Sequence, residues 1–203
     1  MLASGRGTNL ANIHNEILAG RLASVELAVV ISNNSGSGAM EYARQHEIPL
    51  AHVSLLKSGS DPARYEHDLL QAFKSHGVEI IALAGYMKRL PDAIVKAYEH
   101  RILNVHPALL PTFGGAAMYG RHVHEAVLAA GCKVSGATVH LVTNEYDAGQ
   151  IVMQKCCLVT EEDTAASLAE RVRRIEFELY PKAIDLLACD MILVDGNRAR
   201  ILN

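Results

Sequence analysis

Asn104-Val105-His106-Pro107, followed downstream by Thr138-Val139-His140 and Asp147-Ala148-Gly149, places a carboxamide, an imidazole and a carboxylate at the ends of apolar runs. Asn104 and His106 are two residues apart, so on an extended chain their side chains point to the same side. A neutral hydrogen-bond donor then sits beside a base that titrates near neutrality. With Asp147 in reach of the imidazole, the trio supplies what acyl transfer requires: an oxyanion stabiliser, a proton carrier and a group that tunes its pKa. The spacing names neither the acyl group nor its acceptor. Each residue also has a plainer reading, His106 as a strand-end histidine bonded for structure and Asp147 as a turn residue before Gly149.

Ser4-Gly5-Arg6-Gly7-Thr8-Asn9-Leu10 is a glycine-rich turn from a strand into a helix. Glycines let the backbone approach an anion closely, and the helix N-terminus offers N–H groups and a positive dipole end. It is not a dinucleotide fingerprint, because Leu10 stands where the third glycine would fall, and it lacks the Lys-Ser/Thr ending of a P-loop. The alternative is an ordinary tight turn with Thr8 as helix cap. His122, His124 and His140 invite a metal reading. On a helix the first two rings would point about 200° apart and could not share an ion. No metal is expected. Glu176, in Arg171-Val172-Arg173-Arg174-Ile175-Glu176, reads by default as charge on a solvated helix face. Lys88-Arg89, after Ala84-Gly85-Tyr86-Met87, is surface charge or a greeting for an acidic ligand tail.

The elements that must carry these residues follow from periodicity. Val25–Ser32, Ile80–Ala84 and Ile102–Val105 read as buried strands. Helices are predicted near 9–21, 37–46, 62–76 and 91–99, with Asp61-Pro62 starting the third. This alternation implies a parallel sheet covered on both faces. After Pro107 a loop rich in glycine runs to Gly120, and a helix is predicted near 121–130. Two longer strands, near 136–143 and 150–159, suit an antiparallel pair. A long helix over 164–188 contains Pro181, which predicts a kink or break. Residues 192–201 read as a hairpin turning at Asp195-Gly196. Met1-Leu2-Ala3 supplies only the tail of a first strand, which predicts that residues are missing upstream.

A chain of 203 residues suits one domain, expected over 1–203. Half of it is hydrophobic and 20% is charged, an ordinary globular balance. A net charge of −3 provides no basic footprint for nucleic acid, and with no Trp and 5% aromatics a base-stacking platform is not expected. Cys132, Cys156, Cys157 and Cys189 form no C-x-x-C pair and read as free thiols of a cytoplasmic protein. No apolar run approaches the roughly eighteen residues that span a bilayer.

Taken together, the segments SGRGTNL, LAGYM, LNVHPALLPTFGG, GATVHLV, DAGQIVMQ and ERVRRIEFELYP resemble the folate-dependent phosphoribosylglycinamide formyltransferase family over essentially the whole chain. The resemblance implies its fold: α/β, Rossmann-like, with an open, mostly parallel twisted sheet, helices on both faces and an antiparallel extension at the C-terminal part. It implies formyl transfer from 10-formyltetrahydrofolate, as co-substrate, to the amino group of glycinamide ribonucleotide. Asn104 would stabilise the oxyanion, His106 would act as general acid and Asp147 would raise the imidazole pKa and order a water. Gly7, Thr8 and Asn9 would hold the phosphate, and Glu176, with Arg173, Arg174 and Ile175, would meet the ammonium and ribose. The folate pocket would draw on Arg64, on Met87, Lys88, Arg89 and Leu90, and on Asn104 with Thr143, Asn144, Glu145, Tyr146 and Asp147. Leu110-Pro111 matches a position that is cis in the family. Small-molecule substrates are the implied partners, with no nucleic acid or membrane, in a monomer or homodimer.

Three features depart from the pattern: a longer stretch at Phe113–Val123, Lys88-Arg89 in place of an arginine and an apolar residue, and the position of Arg64. The rivals are another formyl-folate-dependent transferase, acting on a sugar nucleotide or on tRNA, and a non-catalytic phosphate-binding module. The tRNA enzyme carries a further C-terminal domain and a basic insertion, against a chain that stops at Asn203 with net negative charge. A binding module explains SGRGTNL but gives no reason for Asn104, His106 and Asp147 together.

Overall fold

The computed structural model describes residues 1–202. Its internal contacts divide the chain into two compact units, Met1–Ile102 and Leu103–Asn203. The first unit alternates helices with short strands: α1 (Thr8–Leu18), β1 (Val30–Ser32), α2 (Gly38–Gln45), β2 (Leu50–His52), α3 (Pro62–Ser75), β3 (Ile81–Leu83) and α4 (Asp92–Ala97). β1 pairs in parallel with β2, and Leu2 bridges in parallel to both Ile31 and Leu83. The three residues Met1–Ala3 therefore occupy the middle of this parallel arrangement. The Leu2 N–H donates to Ala82 O at 2.9 Å and the Ala3 N–H to Ile31 O at 3.0 Å. Leu2, Leu10, Ile31, Leu69, Phe73 and Ile81 are fully buried around them.

The ladder in this unit is shorter than the apolar runs predict. Of Val25–Ser32, only Val30–Ser32 is strand, because the parallel partner β2 is three residues long and Val25 to Ala28 are only partly covered or exposed. β2 itself escapes the sequence reading, since Leu50-Ala51-His52 carries no apolar run to announce it. The start of α3 is as predicted: the Asp61 carboxylate accepts the Ala63 N–H at 2.9 Å, with Pro62 in the first turn.

The second unit is built on β4 (Ile102–His106), β5 (Val134–Leu141) and β6 (Ile151–Leu158), joined antiparallel in that order, with α5 (Arg121–Ala129) and α6 (Ala165–Ala188) beside them. A hairpin of β7 (Ile192–Asp195) and β8 (Arg198–Ile201) ends it. Asp195 pairs with Arg198, so the loop is Gly196-Asn197, one residue later than predicted. The α/β class, the parallel arrangement of the first part and the antiparallel extension all agree with the expected fold.

Of the predicted kink or break at Pro181, the break is absent: α6 runs unbroken through it. A mid-helix proline costs about 3 kcal/mol through its missing N–H and its ring. Leu168, Val172, Leu179, Tyr180, Ala183, Ile184 and Leu187 line the buried face on both sides of it. Each such side chain contributes roughly 1.5–3 kcal/mol on burial for the larger ones, so the packed face outweighs the local penalty. A Thr164–Ser167 capping box fixes the helix start.

Tyr180 ties this helix to the strand that carries Asn104 and His106. It is fully buried, and its hydroxyl donates to Leu103 O at 3.0 Å. Tyr180→Phe is expected to lower unfolding stability by about 1 kcal/mol in urea titrations. An unchanged midpoint would show that the bond does not hold β4.

Candidate active site

In the second unit, β4 and β5 set the chemistry by register. Asn104 lies opposite His140 and His106 opposite Thr138. The β5–β6 register shifts between Val139 and His140, where Val139 pairs with Met153 and His140 with Ile151, so Val152 of β6 is the extra residue of a strand bulge. His106 and His140 are both buried, at 3% and 2% exposure, and Asp147 comes to both of them. Its Oδ2 lies 3.5 Å from His106 Nδ1 and its Oδ1 lies 3.5 Å from His140 Nε2.

The backbone assigns the ring protons. His106 Nε2 lies 2.8 Å from the Phe113 carbonyl, which can only accept, so Nε2 carries a hydrogen. The nitrogen that gains and loses a proton is then Nδ1, the one beside Asp147. In the same way His140 Nδ1–H donates to Leu141 O at 2.8 Å, and its Nε2 lies 3.1 Å from Asn104 Nδ2. The carboxamide of Asn104 is thus oriented by a histidine that the sequence reading did not place at the site. Its signal is present in Thr138-Val139-His140, seven residues before Asp147.

Asp147 and Phe113 both hold positive φ, 53° and 55°. Aspartate tolerates this left-handed backbone better than most residues, and Phe does not. Two such residues, one on each of the loops that meet at His106, mark strained backbone at the candidate site. Asp147 Oδ2 accepts the Gly115 N–H at 2.9 Å, which fastens the turn to the loop after Phe113. Gly114 permits this approach, since a Cβ there would lie 2.6 Å from a Leu110 methyl and 3.1 Å from Asp147 Cβ. The loop itself is pinned by Thr138, whose hydroxyl donates to Ala108 O at 2.6 Å and accepts from Leu110 N–H at 3.0 Å and Gln154 Nε2 at 2.9 Å. The Leu110-Pro111 bond is cis, as the resemblance implies.

Burial pushes the His106 pKa down, and although the Asp147 charge and the Phe113 carbonyl push it up, the net shift is downward. The expected raising by Asp147 is present as a contribution and is overruled by desolvation. For Asp147, burial pushes up, while the His140 and His106 rings and the Gly115 N–H push down and prevail.

Of the other residues in this unit, Arg173 and Glu176 are half-buried and share one side of α6, three residues apart. Arg173 pairs with Glu170. Ile175 turns into the core at 7% exposure, and Arg174 lies exposed, 3.8 Å from Glu170. Neither of these two side chains lies on the side that Arg173 and Glu176 share. Thr143 is half-buried, and Asn144, Glu145 and Tyr146 are exposed in the turn before Asp147.

In the first unit, the glycine turn differs from its plainer reading. The residue preceding α1 is Gly7, at φ 78°, and no side chain caps the helix. Thr8 is instead the first helical residue, exposed, with Asn9 buried behind it. Ser4, at the head of the motif, proves to be a link: its hydroxyl donates to Asn33 Oδ1 at 2.5 Å and accepts the Met87 N–H at 3.1 Å. Tyr86 joins the same segment to α3 by a 2.7 Å hydroxyl contact with Tyr65. Met87, Lys88 and Arg89 are exposed, Arg89 paired with Asp92 at 2.5 Å, and Leu90 is buried. Arg64 is exposed on the first turn of α3. Among the described residues no helix is long and apolar enough to cross a membrane.

The lowered pKa of Asp147 makes its pairing a source of pH-dependent stability. The folded carboxyl binds its proton less tightly than the unfolded one, so the contribution is full above the unfolded value and is lost as pH falls through the folded one. Asp147→Asn is expected to destabilise the protein at pH 7, and the gap should narrow as pH is taken from about 5 to about 3. A gap that holds constant across that range, measured by chemical denaturation, would contradict the electrostatic account.

The chain as a whole is similar to known proteins. A profile of the formyl transferase family matches residues 1–184. The chain is 36% identical over 192 residues, 95% of its length, to the chloroplastic phosphoribosylglycinamide formyltransferase of Arabidopsis thaliana, of which it covers 65%. It is 37% identical to the corresponding protein of Vigna unguiculata over 95% of its length and 61% of the relative's. The chain therefore spans slightly under two thirds of these plant relatives. Among solved structures, glycinamide ribonucleotide transformylase 1 from Symbiobacterium toebii superposes with a TM-score of 0.92 at 35% identity, covering 100% of this chain and 92% of that one. The profile match runs across both units, and the chain belongs to the formyl transferase family.

Proposed function

We propose that this chain, acting as one catalytic domain, transfers the formyl group of 10-formyltetrahydrofolate to the amine of glycinamide ribonucleotide. The observation that carries the reading is the buried His106 ring, fixed by the Phe113 carbonyl with Nδ1 3.5 Å from Asp147. The relatives named for this reaction support the choice of substrates.

Direct transfer between two bound substrates needs positioning and an oxyanion donor, and no covalent nucleophile. The amine attacks the formyl carbon, and the carbonyl electrons move onto oxygen. Asn104 offers its second Nδ2 hydrogen to that oxyanion, the first being held by His140. The attacking nitrogen must then lose one proton, and N10 of the folate must gain one before it leaves. A ring that begins neutral can do both in turn. Burial keeps Nδ1 unprotonated near pH 7, and Asp147 stabilises the imidazolium when the proton arrives, directly or through a water. His106 then gives the proton to N10 as general acid, and both products leave with protons balanced.

In the same proposal Gly7, Thr8 and Asn9 hold the phosphate at the start of α1, where no side chain competes as a cap. Arg173 and Glu176 meet the ribose and the ammonium. Arg64, Met87–Leu90 and Thr143–Asp147 contact the folate, largely through backbone groups in the two loops. The reaction calls for the folate as co-substrate and for no metal.

His106→Ala is expected to cut the transfer rate about a hundredfold or more with folding intact. Asp147→Asn should also slow transfer, and it should move the acid limb of the kcat profile to lower pH, because it removes the charge that raises the imidazole. Wild-type transfer rates in both variants would overturn the assignment of His106 and Asp147 to the chemistry. Equally fast loss of formyl folate with and without the ribonucleotide would instead identify water as the acceptor.

A further inference from the structure

We infer that the first turn of α2, through Gly38 and Ala39, is the mould that shapes the Gly5–Asn9 loop and so sets affinity for the acceptor's phosphate. The inference rests on the reading of that loop as the phosphate cradle. Three successive residues of the loop meet the same two residues of α2. The Ala39 N–H donates to Gly5 O at 3.1 Å. A Cβ on Gly38 would lie 2.7 Å from the Arg6 carbonyl oxygen and 3.1 Å from Arg6 Cα. A Cβ on Gly7 would lie 2.8 Å from Ala39 Cα. Every one of these neighbours is backbone, so none can yield by turning a side chain.

The mould is itself anchored. Ser37 caps α2, its Oγ accepting the Met40 N–H at 3.3 Å, and that Oγ sits 3.1 Å from the buried Ser32 Oγ at the end of β1. The Ser32 hydroxyl donates to Asn34 O at 3.0 Å, and the Ser37 N–H donates to the same carbonyl at 3.1 Å. Ser32, Ser37 and Ala39 are all buried, at 0%, 4% and 0% exposure. Position is thus passed from β1 through the cap of α2 to the backbone of Gly5, Arg6 and Gly7, which in turn fixes where α1 begins. Gly7 adopts a left-handed φ, and with the opposing backbone so near only glycine fits there. Gly38 and Ala39 act through the loop and are positioning residues.

The test uses the whole protein and reads both KM values, together with the inhibition constant of inorganic phosphate against the ribonucleotide. Gly38→Ala is expected to raise the ribonucleotide KM and the phosphate inhibition constant about tenfold each, since sub-ångström displacement of a binding backbone is costly. The formyl-folate KM should stay within about twofold. Gly36→Ala, whose Cβ meets only Asn34 Oδ1 at an ordinary 3.7 Å, should change neither constant. Asn9→Ala separates the two claims. If Asn9→Ala weakens phosphate and Gly38→Ala does not, the mould is wrong and the cradle stands. If neither weakens phosphate, the cradle reading fails and the mould with it. A parallel rise of both KM values in Gly38→Ala would mean general damage and would also overturn the inference. Should Gly38→Ala not fold, Ala39→Gly removes the methyl that walls the loop. It should raise the phosphate constant about threefold, and no change would be decisive against the mould.

Discussion

One hydrogen bond constrains the rest of the candidate site: His106 Nε2–H to the Phe113 carbonyl, 2.8 Å. A carbonyl oxygen accepts and never donates, so the bond decides which ring nitrogen titrates. It leaves Nδ1 facing Asp147 in a buried setting where the charge of the carboxylate is felt strongly. Much of the second unit's local geometry serves to keep that carbonyl in place. Phe113 and Asp147 both adopt left-handed backbone, Gly114 lets the two loops touch, and Asp147 is fastened to Gly115. Thr138 and Gln154 hold the segment between Ala108 and Leu110 from the far side.

β5 is the platform for this arrangement. On one strand, Thr138 secures the loop and His140 orients Asn104. His140 keeps a partner on each side, Asn104 on β4 and Ile151 on β6, across the register shift that leaves Val152 unpaired. Behind it, α6 presses a continuous apolar face, and Tyr180 bonds the carbonyl of Leu103 one residue before Asn104. Packing and register therefore meet on β4, where the Tyr180 bond falls on the residue before Asn104.

The sequence made some of this legible and hid the rest for physical reasons. Asn104, His106 and Asp147 were visible because each stands at the end of an apolar run and the first two share a strand face. The glycine turn is legible in its spacing, while the residue that precedes the helix is Gly7 and not Thr8, because the left-handed φ of Gly7 turns the chain into α1 without a side-chain cap. His140 was not placed at the site because its role depends on cross-strand register, which no local pattern reports. Pro181 misled because local propensity argues for a break, while the packed face of α6 decides otherwise. β2 and the shortness of β1 were hidden because a parallel ladder is only as long as its shorter member. On α6, Ile175 faces the core and Arg174 is exposed, so any contact they make with the ribonucleotide beside Glu176 would come through their backbone.

The most direct test of the account is a nitrogen-15 NMR titration of the histidine rings in the unliganded protein. His106 is expected to be the Nε2–H tautomer at neutral pH and to titrate at Nδ1 with a pKa below the ordinary value of about 6.5. An Nδ1–H tautomer, or titration above that ordinary value, would contradict it.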